Sequence, residues 1–80
     1  MKLYLLSQDE NNDYDTYDAF IVCAENEADA RTFKPDNTMF NPERDSGAWT
    51  KNESAITCQE IGVANKNQER GVILASFNAG

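Results

Sequence analysis

YDAFIVCAENEADAR, residues 17–31, decides the fold. Its first half, Tyr17 to Ala24, contains the run Phe20-Ile21-Val22-Cys23. That run is apolar on both alternating faces, so it predicts an interior strand. Its second half predicts a helix. Asn26 is placed to cap it, and Asp29 at the third helical position makes an imperfect capping box. Glu27 and Asp29 suit the positive end of the helix dipole. Pro35 ends the helix, because the residue before a proline avoids the α region. About two turns cannot stand alone. The helix must therefore pack on a sheet, with Phe33 and one or both of Ala28 and Ala30 turned inward.

Working outward, Lys2–Leu6 reads as a first strand, and QDENNDYDT, residues 8–16, as a loop rich in turn-forming Asp and Asn. The strands on either side should pair as an antiparallel hairpin. Residues 35–54 hold both prolines and isolated apolar residues at Met39, Phe40 and Trp49. They read as a long loop, with room for a short strand around Ala48–Lys51; loops beyond about 12–15 residues are often functional. Residues 55–64 read as a third strand with Gly62 as a bulge. Residues 72–77, VILASF, read as the fourth and most apolar strand, expected at the sheet centre. The order β-β-α-β-β predicts a single α+β domain over residues 1–80: an antiparallel sheet of about four strands with one short helix.

The 80 residues include 14 acids, 7 bases and no histidine, for a formal charge of −7. Without histidine there is no Ser-His-Asp or Cys-His dyad and no zinc-histidine site. Phosphate binding by a broad basic face is disfavoured, so no direct nucleic-acid contact is expected. No stretch approaches the roughly 18 apolar residues of a membrane span. The opening MKLYLLSQDENND lacks the apolar region of a secretory signal, so a cytosolic protein is expected. In that compartment Cys23 and Cys58 read as buried thiols, with a disulfide open if their strands prove to be neighbours. The glycines form no phosphate-binding motif, and so short a chain leaves little room for a cleft with paired carboxylates. A non-enzyme without a cofactor is expected.

Charge is distributed unevenly. Residues 1–30 hold Asp9, Glu10, Asp13, Asp15, Asp18, Glu25, Glu27 and Asp29 against Lys2 alone, whereas residues 31–80 hold six acids and six bases. Such a cluster is either a solvated acidic loop or an anionic surface for a basic partner. The row Asp9-x-Asn11-x-Asp13-x-Asp15 resembles the start of a calcium loop. It fails at Tyr14, where glycine is needed, and at Phe20, where a bidentate Glu belongs, which leaves at most a weak Ca²⁺ site of another kind. Tyr14 and Tyr17, each followed by Asp, are candidate interface anchors, the alternative being that one ring is core. Trp49 is either a lid over the core or an exposed anchor.

The opening MKLYLLSQ, the stretch YDTYDAFIVCAENEADAR and the ending GVILASFNAG resemble small acidic proteins encoded by bacteriophages and prophages. The resemblance covers about the first 31 residues and the last ten. It extends to the anti-CRISPR inhibitors, with the type I-C class as the nearest match. It implies a monomer in the cytoplasm of the host bacterium that evades host defence as a DNA mimic. The partner it implies is a basic nucleic-acid-binding subunit of a Cascade-type complex, held through its DNA- or PAM-reading surface. Carboxylates at Asp13, Asp15 and Asp18 on an extended hairpin would stand in for phosphates, and Glu25 and Asp29 would extend the row. The partner-binding set is then Asp9, Glu10, Asp13, Tyr14, Asp15, Tyr17, Asp18, Glu25, Glu27 and Asp29. The rivals are a phage accessory or assembly module that binds through the Trp49 loop, and the weak Ca²⁺ domain.

Overall fold

The computed structural model describes residues 1–10, 15–41 and 48–78. Four strands, β1 (Lys2–Ser7), β2 (Thr16–Ala24), β3 (Thr57–Val63) and β4 (Gly71–Asn78), form one antiparallel sheet in the order β3-β1-β2-β4. With the single helix α1 (Glu27–Ala30), this is the expected small α+β domain. The β1–β2 hairpin forms as expected, but β4 lies at an edge and not at the centre. The apolar run of β2 sits inside the sheet because β1 and β4 flank it on both sides.

Pairing sorts the side chains onto two faces, because partners across an antiparallel ladder share a face. On the covered face the rows are Glu60–Tyr4–Val22–Val72 and Cys58–Leu6–Phe20–Ala75. Tyr4, Leu6, Phe20 and Val22 are buried there beneath Ala30, Trp49 and Ile56. On the opposite face the rows are Gly62–Leu3–Cys23–Gly71, Gln59–Leu5–Ile21–Leu74 and Thr57–Ser7–Ala19–Ser76. None of these twelve residues is charged.

Three bulges interrupt the ladders. Ile61 is the extra residue opposite Leu3/Tyr4, next to the glycine expected to bulge. Asp18 and Ile73 are the extra residues in the β2–β4 ladder. Cys23 and Cys58 are both free thiols. They lie on opposite faces with β1 between their strands. Two strand spacings are about 9.6 Å, beyond the roughly 7 Å that a disulfide spans.

Helix α1 is shorter than its sequence suggests. The cap forms as expected: the Asn26 Oδ1 accepts from the Asp29 N–H at 2.8 Å, and the Asp29 Oδ2 accepts from the Glu25 N–H at 3.0 Å. The helix then stops at Ala30, before Pro35. The Thr32 hydroxyl donates to the Asp29 carbonyl at 2.6 Å, and the Thr32 and Phe33 N–H groups bond Asp29 and Ala30 three residues back. A threonine that bonds the local backbone competes with the helical ladder. Phe33 instead bridges to Met39. The segment around Ala48–Lys51 forms no strand, although the Tyr17 N–H donates to the Ala48 carbonyl at 2.7 Å.

Candidate anionic interface

The mouth of the β1–β2 hairpin is organised by Gln8, a residue the sequence did not single out. Gln8 is only 7% exposed. Its N–H donates to the Asp18 carbonyl at 3.1 Å, and its Nε2 donates to the Tyr17 carbonyl at 2.9 Å. Its Oε1 accepts from the Glu10 N–H at 2.8 Å. One buried amide therefore fixes the backbone on both sides of the mouth. Asn52 adds a second brace, its Nδ2 donating to the Glu10 carboxylate at 3.0 Å. Asn52 is itself held by its N–H bond to the Thr50 hydroxyl and by Ser54. Nothing in the local pattern marks either residue, because both act on segments distant in sequence.

Around this mouth Asp9, Glu10, Asp15 and Asp18 are all exposed. Among the described residues, no side chain pairs with the carboxylates of Asp15 or Asp18. Lys51, also exposed, belongs to the segment that bears Asn52, so a cation stands close to this pole. Asp13 and Tyr14 lie outside the described residues, as does Asn11 of the calcium-like row. Asp15 has φ 61°, the left-handed region, and Asp18 is a bulge residue. The extended hairpin expected to space these carboxylates at strand intervals is thus replaced by a turn and a bulge.

The remaining acids do not join this pole. Residues 19–24 of β2 separate Asp18 from Glu25, a distance of about 24 Å at the rise of a strand. At that far end Asp29 receives a bidentate contact from Arg70, with Nε to Oδ2 at 2.9 Å and Nη2 to Oδ1 at 2.5 Å. The Arg70 guanidinium also stacks 4.6 Å from the Phe33 ring centre. Glu27 pairs with Arg31 at 3.1 Å one helical turn on. The expectation of one continuous anionic row is therefore corrected. Asp29 and Glu27 are matched by cations of the same molecule, and Glu25 stands at the opposite end of the sheet.

Two aromatic expectations are also settled. Trp49 is 1% exposed, with its ring edge-to-face on Phe20 at 5.2 Å, so it is a lid over the core and not an anchor for a partner. Tyr17 is half-buried and packs edge-to-face on Phe77 at 4.8 Å. It belongs to the packing at the sheet end and supports the acidic mouth from beneath.

The guanidinium of Arg70 holds the Asp29 carboxyl below the usual aspartate range, helped by the Glu25 N–H and against a desolvation effect in the other direction. A depressed folded pKa contributes stability that is present above the unfolded value near 3.8 and is lost as pH falls through the folded one. Asp29→Asn should therefore flatten the acid limb of the stability curve below about pH 4. Urea titrations from pH 2.5 to 7 check this, and an unchanged acid limb would refute it.

Among the described residues no helix is long and apolar enough to cross a membrane, and no group of three or more acidic or cysteine side chains is placed to hold a metal ion. No family model, curated protein or solved structure matches the chain.

Proposed function

We propose that this protein acts by binding, not by catalysis, and that its acidic hairpin mouth takes the place of nucleic-acid phosphates on a basic protein surface. The observation that carries this reading is the asymmetry between the two ends of the sheet. Asp15 and Asp18 are exposed beside Glu10 on a braced mouth, while the acids of α1 are matched by Arg31 and Arg70. A field from one pole steers a positively charged partner, and bracing by Gln8 and Asn52 lowers the ordering cost of contact. The resemblance to phage-encoded inhibitors makes the proposed target a DNA-reading subunit of a Cascade-type complex in the host cytoplasm, where Arg and Lys line the duplex channel. The proposed contact set narrows to Asp9, Glu10, Asp15 and Asp18 with their neighbours Asp13 and Tyr14.

The test is competition for target duplex by a purified Cascade-type complex in a gel-shift assay. The wild-type protein should displace DNA, and less so as salt rises. Asp15→Lys with Asp18→Lys should weaken displacement by about tenfold or more, whereas Glu25→Lys at the far end should change it little. No displacement at any salt, or a double variant as potent as wild type, would defeat the proposal.

A further inference from the structure

The two edges of the sheet are not alike. β3 carries Glu60, tied to Lys2 at 3.1 Å, and the bulge at Ile61. Just before it, the Arg31 Nη1 donates to the Ile56 carbonyl at 3.1 Å. Charges and bulges are the usual guards of an edge strand. β4 has no charged residue, and its guards end early: its bulge falls at Ile73, and Asn37 takes the Val72 N–H. From Leu74 to Asn78 there follows no charge, no proline and no further bulge of its own, over about 17 Å of strand. Among the described residues, only β2 pairs with this stretch. Leu74, on the face away from the core layer, is 65% exposed, and Phe77 is 47% exposed.

We infer that an extended segment of a partner protein adds to this stretch as a fifth strand, antiparallel to β4, apolar through its middle and basic at its amino end. The backbone selects a strand. An open edge offers a row of N–H and C=O groups, and another extended chain is what satisfies such a row. All the ladders of the sheet are antiparallel, the slightly more stable pairing per residue. The side chains select the middle of the segment. An added strand sets its residues beside Leu74 on one face and beside Ala75 on the other, and neither offers a charge to pair with. The hairpin mouth selects the amino end. Asn78 pairs with Thr16, next to Asp15, and Asp18 is the bulge residue between the partners of Phe77 and Ser76. The exposed acids thus lie beside the end of β4 where an antiparallel segment begins. Two strand spacings, about 9.6 Å, separate them from the added backbone, within the roughly 10 Å reach of charge at 0.1 M salt. A second copy of β4 would bring to that mouth only Arg70, already bound to Asp29, together with Glu69. This contact needs no DNA reader, so it goes beyond the reading proposed above.

The test is a nuclear magnetic resonance titration of the isotope-labelled full chain with a synthetic peptide of about eight residues, two lysines followed by alternating valine and threonine. The amide signals of Leu74–Phe77 should shift and gain protection from exchange, those of β3 should not, and binding should weaken as salt rises. Replacing the two lysines by glutamates should weaken binding about tenfold or more. Methylating the peptide nitrogens that face β4 should abolish it, because the main chain carries the affinity. Ser76→Lys, at an exposed position on the strand, should weaken the lysine peptide about tenfold and leave the glutamate peptide no weaker. The peptide controls carry the test if that variant fails to fold. No binding at millimolar peptide and low salt, shifts confined to β3 or to the mouth, or equal binding by the methylated peptide overturns the inference. So does a free chain of twice the 9.0 kDa mass with its β4 amides already protected, since a second copy would then hold the edge. Displacement of target DNA is measured separately, so this inference and the phosphate-mimic reading can each fail without the other.

Discussion

Trp49→Ala should lower the unfolding free energy by about 3–5 kcal/mol, the usual cost of deleting a large buried ring. The ring is the largest fully buried side chain, and it closes the core from the covering segment onto Phe20. A chain of 80 residues has a total stability of roughly 4–12 kcal/mol, so the loss takes a large share of it. At about 4–8 °C per kcal/mol for a domain of this size, the melting temperature should fall by at least about 12 °C. Trp49→Phe keeps an aromatic edge against Phe20 and should cost markedly less. Urea titration followed by near-ultraviolet dichroism reads both. A loss below about 1 kcal/mol for the alanine variant would mean that the indole is not the lid described here.

The second large effect is expected at Gly71, where β4 begins. Its φ is +142°, and an added Cβ would sit 3.1 Å from the Asn37 Oδ1. That oxygen accepts the Val72 N–H at 3.0 Å, so it occupies a donor of an edge strand that no neighbouring strand takes. Gly71→Val forces a β-branched residue into a backbone region it avoids, at about 1–3 kcal/mol. It also displaces Asn37, which forfeits about 1 kcal/mol more for the bond. A total of about 2–4 kcal/mol by urea titration is expected, and Asn37→Ala should show only the smaller part. Equal losses in the two variants would place the cost in the hydrogen bond alone.

Local signals carried much of this fold. The four strands begin and end within two residues of the positions that apolar runs and turn residues mark, and Asn26 caps α1 as its type predicts. What failed was long-range. VILASF is the most apolar strand, and apolarity usually means a central position, yet β4 sits at an edge. Its apolar side chains serve two faces: Val72 and Ala75 join the core, while Leu74 belongs to the uncovered face. The helix was overestimated because Thr32 looks neutral in sequence but takes the Asp29 carbonyl in space. At the anionic site, the pattern showed where acids concentrate along the chain but not that β2 carries them to opposite ends. Gln8 and Asn52 were invisible, because their roles rest on contacts with Tyr17, Asp18 and Glu10 that only the folded chain creates.

The strand order also bears on how the molecule is made. β1 and β2 are complete once Ala24 has left the ribosome, but both outer strands of the sheet come from the last third of the chain. At 5–20 residues per second the nascent hairpin waits several seconds with both backbone margins open and Phe20, Ile21 and Val22 uncovered. A ribbon in that condition is a template for aggregation. The carboxylates clustered at its tip then act as gatekeepers, repelling neighbouring nascent chains until β3 and β4 arrive. The same charges proposed to meet a cationic target would thus guard the chain during its own synthesis.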